Sequence, residues 1–192
     1  MGDVMAAETV AEASTDPVLV LAREGRPRDA LALCAREHGG AVGRFCMALL
    51  GDQAEAEEVL QEALLAAYDG FGELRGEAVR PWLFGIARRM CARRLAKRTR
   101  RSGKLRLVHD AAEEPVPADE LLERRQRAEK VRDALEELKP SDREALLLRY
   151  EAGLSYREVG EVMATGEATA RKRASRALAR LRDVLLSSGA LR

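Results

Sequence analysis

Residues 153–182, GLSYREVGEVMATGEATARKRASRALARLR, constrain the fold more than any other stretch, because they specify two helices and the turn between them. Gly153 closes one helix. Ser155 with Glu158 three places on forms a capping box that opens the next. Val159, Val162 and Met163 give this short helix one apolar face, and Ala164-Thr165-Gly166 interrupts it. In the helix that follows, Ala170, Ala174, Ala177, Leu178, Leu181, Val184 and Leu185 keep helical period. The opposite face carries Arg171, Lys172, Ser175, Arg176 and Arg180, with no acid between Ala168 and Arg182. Two short helices, a tight turn and a cationic outer face suit a rod presented to the DNA major groove. A plain helical hairpin with a solvated face is the competing reading. Solvated faces usually mix signs, and this one does not.

The rest of the chain reads as helical too. Ala, Leu, Glu and Arg dominate, and aromatics make up only 4% of the residues, a helix-forming composition. Alternating Val/Ile/Thr/Tyr runs bounded by turns are absent, so no strands are expected. The expected fold is all-α: two small helical domains joined by a flexible acidic linker, the C-terminal one a helix-turn-helix. The expected boundaries are a disordered extension over 1–16, a domain over 17–101, a linker over 102–120 and a domain over 121–192. Within the first domain helices are expected at 17–24, 28–50, about 52–68, and from Pro81 onward, with Asp69–Gly72 and Arg75–Glu77 as loops. Gly103, Pro115 and Pro117 among five acids mark the linker. In the second domain a helix is expected from Leu121 to Lys139. After Pro140, Ser141 with Glu144 is expected to cap another over Arg143–Tyr150.

A net charge of +1 conceals strong segregation. From Phe45 to Glu62 every charge is acidic, and from Arg88 to Arg106 every charge is basic. On a helix, Arg89, Arg93, Lys97, Arg100 and Arg101 fall near one stripe, which matches a phosphate track. Trp82, and the loop near Phe71, Leu74 and Arg75, lie beside it. Trp82 suits either an unstacked base or plain core packing, and the two roles are compatible. Glu57, Glu58, Gln61 and Glu62 beside Leu60, Leu64 and Leu65 suit a basic protein partner, or a solvated face. His38 and His109 lie in unrelated contexts, and motifs of hydrolases, zinc proteases and nucleotide-binding loops are missing, so no catalytic residue is expected. Cys34, Cys46 and Cys91 form an odd count without CxxC spacing. Cys34 with His38 has ligand-like spacing, but core placement is the stronger reading, and neither metal nor cofactor is expected. No run of eighteen apolar residues and no secretory leader are present, so no membrane insertion is expected, and the cysteine usage reads as a reducing, cytoplasmic setting.

These pieces, in this order, resemble the extracytoplasmic-function group of bacterial sigma factors. GDQAEAEEVLQEALLAAYDGF looks like that family's core-polymerase-binding segment, RGEAVRPWLFGIARRMCARRLAKRTRR like its −10-melting and −10-reading segment, and LEELKPSDREALLLRYEAGLSYREVGEVM with the basic helix like its −35-reading domain. The resemblance implies that Glu57, Glu58, Leu60, Gln61 and Glu62 meet the clamp helices of the largest polymerase subunit, and that the flap of the second-largest subunit is a further partner. It implies that Leu74, Arg75, Gly76, Trp82, Arg88, Arg89, Arg93 and Lys97 lie near −10 DNA. Arg171, Lys172, Ser175 and Arg176 would face the −35 groove, with Thr169 and Arg173 on phosphates. Many relatives are held by an anti-sigma factor, which such a chain could share. The chain departs from the family in having Arg89 where a small residue such as Asn is common, Arg93 near a usual Asp, and Ala164 and Ala168 where Gly is usual. Gly166 is therefore expected to supply the turn's flexibility. Two alternatives remain at this level: a conventional helix-turn-helix regulator with a sensing or dimerising N-terminal domain, and a sigma-like adaptor that binds only protein.

Overall fold

The computed structural model describes residues 16–74, 78–102 and 129–187, and every regular element among them is helical. The expected linker beyond Ser102, the start of the helix expected from Leu121, and Arg75 and Gly76 lie outside the described residues.

The N-terminal helices are α1 (Pro17–Arg23), α2 (Pro27–Leu50), α3 (Gln53–Gly70), a 3₁₀ turn (Phe71–Glu73) and α4 (Val79–Ser102). Pro17 and Pro27 stand at first-turn positions, where a missing N–H costs nothing. Gly51, at φ 69°, ends α2 in the left-handed conformation, and the Asp52 carboxylate caps α3 by accepting from the Glu55 N–H at 2.8 Å. Asp16, expected within a disordered extension, is instead the N-cap of α1. One carboxylate oxygen accepts from the Val18 N–H at 3.0 Å and the other from the Val79 N–H at 2.9 Å. One side chain thus caps both α1 and α4.

The loop expected at Asp69–Gly72 is not found: α3 runs to Gly70 and passes directly into the 3₁₀ turn. Packing explains the glycine. A Cβ added to Gly70 would lie 2.9 Å from the Trp82 ring, so the residue is small to admit an indole rather than to turn the chain. The core of this half lies between α2, α3 and α4. Phe45 and Phe84 meet edge to face, centroids 5.4 Å apart, among buried Val42, Val59 and Leu83. Full burial of each such side chain contributes about 1.5–3 kcal/mol. All three cysteines are also buried here. Burial pushes the Cys34 thiol up to about 12, with Asp16 and Glu37 adding to it. A hydrogen bond with Cys46, followed by burial, pushes the Cys91 thiol up.

The C-terminal helices are α5 (129–136), α6 (Pro140–Tyr150), α7 (Tyr156–Val162) and α8 (Glu167–Ser187). The capping box expected at Ser141 and Glu144 does not form, because Pro140 itself starts α6, so both residues lie inside the helix. The Ser155–Glu158 capping box is present in full. Gly153 is left-handed at φ 66°, as a helix-ending glycine should be. The turn before α8 departs from expectation: Ala164, not Gly166, takes positive φ, at 50°. Gly160 is required for a different reason, since a Cβ there would stand 2.8 Å from the Thr165 carbonyl oxygen.

The two sets of helices touch. Arg44 pairs with Glu151 at 2.5 Å and Arg88 with Glu144 at 2.8 Å. Arg80 donates to the Ala152 carbonyl, and Arg143 to that of Ala48.

Candidate nucleic-acid interface

The inner row of α8 is Ala170, Ala174 and Ala177, all buried, and these small side chains let the helix lie close on α6 and α7. Helical period then turns Thr169, Arg171, Lys172, Ser175 and Arg176 outward, where all are exposed, and leaves Arg173 half-buried. Two of these cations already have partners. Glu167 accepts from Arg171 at 2.5 Å, one turn back, and the Arg171 guanidinium lies 5.3 Å from the centre of the Tyr156 ring. Arg176 donates through Nε and Nη2 to the two oxygens of Asp142, at 2.7 and 2.6 Å. Asp142 is only 5% exposed, whereas Arg176 remains 54% exposed. The Arg176 hydrogen bonds hold the Asp142 carboxyl below its ordinary value of 3.8. Because this fork uses one whole edge of the guanidinium, Arg176 ties α8 to the first turn of α6.

On α4 the cationic stripe is present: Arg89, Arg93, Lys97 and Arg100 are exposed. Arg88 points elsewhere, to Glu144 of α6, with both side chains largely buried. Trp82 is half-buried against Phe71, ring centres 6.0 Å apart, and its remaining surface walls two cavities. One, of about 550 Å³, separates α4 from α7 and is lined by Leu74, Pro81, Trp82, Arg89, Arg157 and Glu161 among others. The other, of about 290 Å³, has Ala66, Trp82, Ile86, Arg89, Met90 and Arg93 around it. Packing and an accessible ring face coexist at Trp82.

The acidic face of α3 is less free than its sequence suggests. Glu57, Glu58, Gln61 and Glu62 are exposed, but Arg94 of α4, itself 22% exposed, reaches Glu58 at 2.6 Å and Glu62 at 2.7 Å. One turn on, Arg98 pairs with Glu55 at 3.0 Å. Glu57 accepts from Gln53 at 2.9 Å. Of the three leucines expected on this surface, Leu60 and Leu64 are half-buried, while Leu65 is 62% exposed. Sequence reasoning assigned no site role to Asp142, Tyr156 or Arg94, and read Glu144 only as a helix cap. Asp142 and Arg176 stand 34 residues apart, beyond the reach of any local spacing rule.

Comparison with known proteins adds an independent finding. Residues 34–101 match the family described as Sigma-70 region 2, and residues 128–181 that described as Sigma-70, region 4. The ECF RNA polymerase sigma factor SigL of Mycobacterium tuberculosis is 31% identical over 167 residues, covering 81% of this chain and 89% of that protein. The probable RNA polymerase sigma factor RfaY of Xanthomonas campestris is 34% identical over 154 residues. That match covers 76% of this chain but 38% of the relative. Among solved structures, the sigma factor RpoE of Bartonella quintana, determined with the anti-sigma factor NepR, aligns with a TM-score of 0.64 at 24% identity. The alignment covers 79% of this chain and 93% of that one, a likeness in fold.

Proposed function

The chain belongs to the extracytoplasmic-function sigma factors of bacterial RNA polymerase, and on that premise we propose how its surfaces divide the work. It binds core RNA polymerase and directs promoter-specific initiation, lending specificity to an enzyme and doing no chemistry of its own. Its place of action is the cytoplasm, where polymerase and promoter are found.

Residues 17–101 act as the unit for core and −10 binding, and residues 121–192 as the −35 unit, with 102–120 as the tether and 1–16 as an extension. On α3, Glu57, Glu58, Leu60, Gln61 and Glu62 meet the clamp helices, with exposed Leu65 adding an apolar anchor. The flap of the second-largest subunit contacts the −35 unit. Leu74, Arg75, Gly76, Trp82, Arg88, Arg89, Arg93 and Lys97 serve −10 DNA: the cations on phosphates, Trp82 as a stacking face. Arg88 joins only after its ion pair with Glu144 breaks, so the two sets of helices part when promoter binds. On α8, Arg171, Lys172 and Ser175 read the −35 groove, Thr169 and Arg173 hold phosphates, and Arg176 chiefly keeps α8 aligned through Asp142. An anti-sigma factor, as in the Bartonella complex, is a fitting antagonist.

The observation that carries this reading is the construction of α8: an alanine row buried against a capped helix, and a cationic row exposed behind it. The alternatives, a sensing or dimerising regulator and a protein-only adaptor, are not favoured, because both sigma-70 regions are matched. Run-off transcription with purified core enzyme on genomic fragments tests the proposal. Promoter-specific transcripts are expected, and Lys172→Ala with Arg171→Ala should reduce them while core binding is retained. Equal transcription from the double variant would remove the −35 assignment.

A further inference from the structure

Three helices of the C-terminal motif converge on one aromatic ring. Tyr156 is the first residue of α7 and is half-buried. The guanidinium carbon of Arg149, on α6, lies 4.9 Å from its ring centre, and that of Arg171, on α8, lies 5.3 Å away. Both distances fall within the range of cation–π attraction. Each partner of the ring is itself tethered. Arg149 donates through Nη1 to the Leu154 carbonyl at 2.8 Å, and Arg171 donates to Glu167 at 2.5 Å.

This matters because of what reading a base edge demands. Arginine recognises guanine through two parallel hydrogen bonds, so the planar fork must arrive in the right orientation. A long exposed side chain ordinarily surrenders considerable rotamer freedom to do that. Arg171 is restrained before any DNA arrives, by a carboxylate at one nitrogen and an aromatic ring near its guanidinium carbon.

We propose that Tyr156 is a positioning residue for −35 discrimination: its ring, flanked by Arg149, presets the Arg171 guanidinium for a base edge. The proposal rests on the reading of α8 as the −35 helix. It assigns part of the specificity of α8 to a side chain fifteen positions upstream, on the other helix of the motif.

The test uses holoenzyme assembled from core polymerase and full-length protein. Promoter binding is measured on the cognate promoter and on a set in which each −35 base pair is replaced in turn. Arg171→Ala identifies the base pairs whose discrimination depends on that arginine. At those base pairs Tyr156→Leu should lower the ratio of cognate to replaced affinity by about twofold to fivefold, the factor that a cation–π contact of exposed strength supplies. Tyr156→Phe, which keeps the ring, should restore the wild-type ratio. Circular dichroism and core affinity confirm that each variant is folded, and Tyr156→Met replaces the leucine variant if the latter is not. An equal loss on every promoter would overturn the proposal, since it would assign Tyr156 to a phosphate or to stability alone. So would an unchanged ratio in the leucine variant where Arg171→Ala flattens it. If Arg171→Ala itself leaves every −35 ratio intact, Arg171 reads no base and the proposal falls, whereas the −35 reading of α8 fails only if the Arg171→Ala, Lys172→Ala double variant is silent as well.

Discussion

Replacing Asp16 should loosen two helices at once. Its carboxylate accepts from the Val18 N–H at 3.0 Å and from the Val79 N–H at 2.9 Å, across 63 residues of sequence in the second case. Val18 and Val79 are both fully buried, so an uncapped N–H at either position has poor access to water. An N-cap side chain replaced by alanine costs about 1 kcal/mol, which makes about 2 kcal/mol for Asp16→Ala. Asp16→Asn separates the contributions. The amide keeps one acceptor oxygen and puts a donor where the second acceptor stood, so about half the loss is expected. For a chain of this size about 2 kcal/mol corresponds to a fall in Tm of roughly 4–8 °C. Urea denaturation followed by circular dichroism, with thermal melts alongside, measures both variants. The ordering wild type, Asn, Ala is the essential result. An Asn variant as stable as wild type would show that the carboxylate does not bridge α1 and α4. An Ala variant within about 0.3 kcal/mol of wild type would show that neither cap matters, well below the ordinary worth of a cap.

Ala164 adopts φ 50°, a left-handed conformation that costs a residue with a Cβ about 1–2 kcal/mol. Allowing for the extra chain entropy of glycine, Ala164→Gly should stabilise the protein by about 0.5–1 kcal/mol, and a lower melting temperature would contradict the strain argument. The Asp142 carboxyl is held below 3.8 by Arg176, so the pair contributes stability above that value and loses it as pH falls through the depressed folded value. Asp142→Asn should therefore be less stable than wild type at neutral pH, and the gap should close in acid. A gap independent of pH would assign the loss to packing. Burial lowers the pKa of His38 below 6.5, against the opposing charge of Asp16, and the unfolded chain therefore takes up a proton there first. Wild-type stability should decline as pH drops below 6.5, and His38→Gln should flatten that part of the stability profile; an unaltered profile would exclude His38 as its source.

Much of the fold was legible because helices are written locally. Ser155 and Glu158 announce α7, Gly153 its predecessor's end, and the alanine row of α8 its buried side. Local signals also misled where a tertiary neighbour intervened. Gly70 reads as a turn residue but serves the Trp82 ring, and Ser141 with Glu144 reads as a cap but falls within a helix started by Pro140. At the candidate sites, the types and sides of the charged residues could be read, but not their partners. Glu58 and Glu62 stand in the structure with Arg94, Arg88 with Glu144, and Arg176 with Asp142.

The amino-acid order alone determined that the described segments are helical, about where most of the helices run, and which stripe of each is mainly apolar, acidic or basic, since those follow from contacts three or four residues apart. Only the tertiary structure decided which of those charges neutralise one another and which stay exposed. An ion pair between residues 34 or 107 positions apart depends on how whole helices are placed in space, and no periodicity along the chain encodes that.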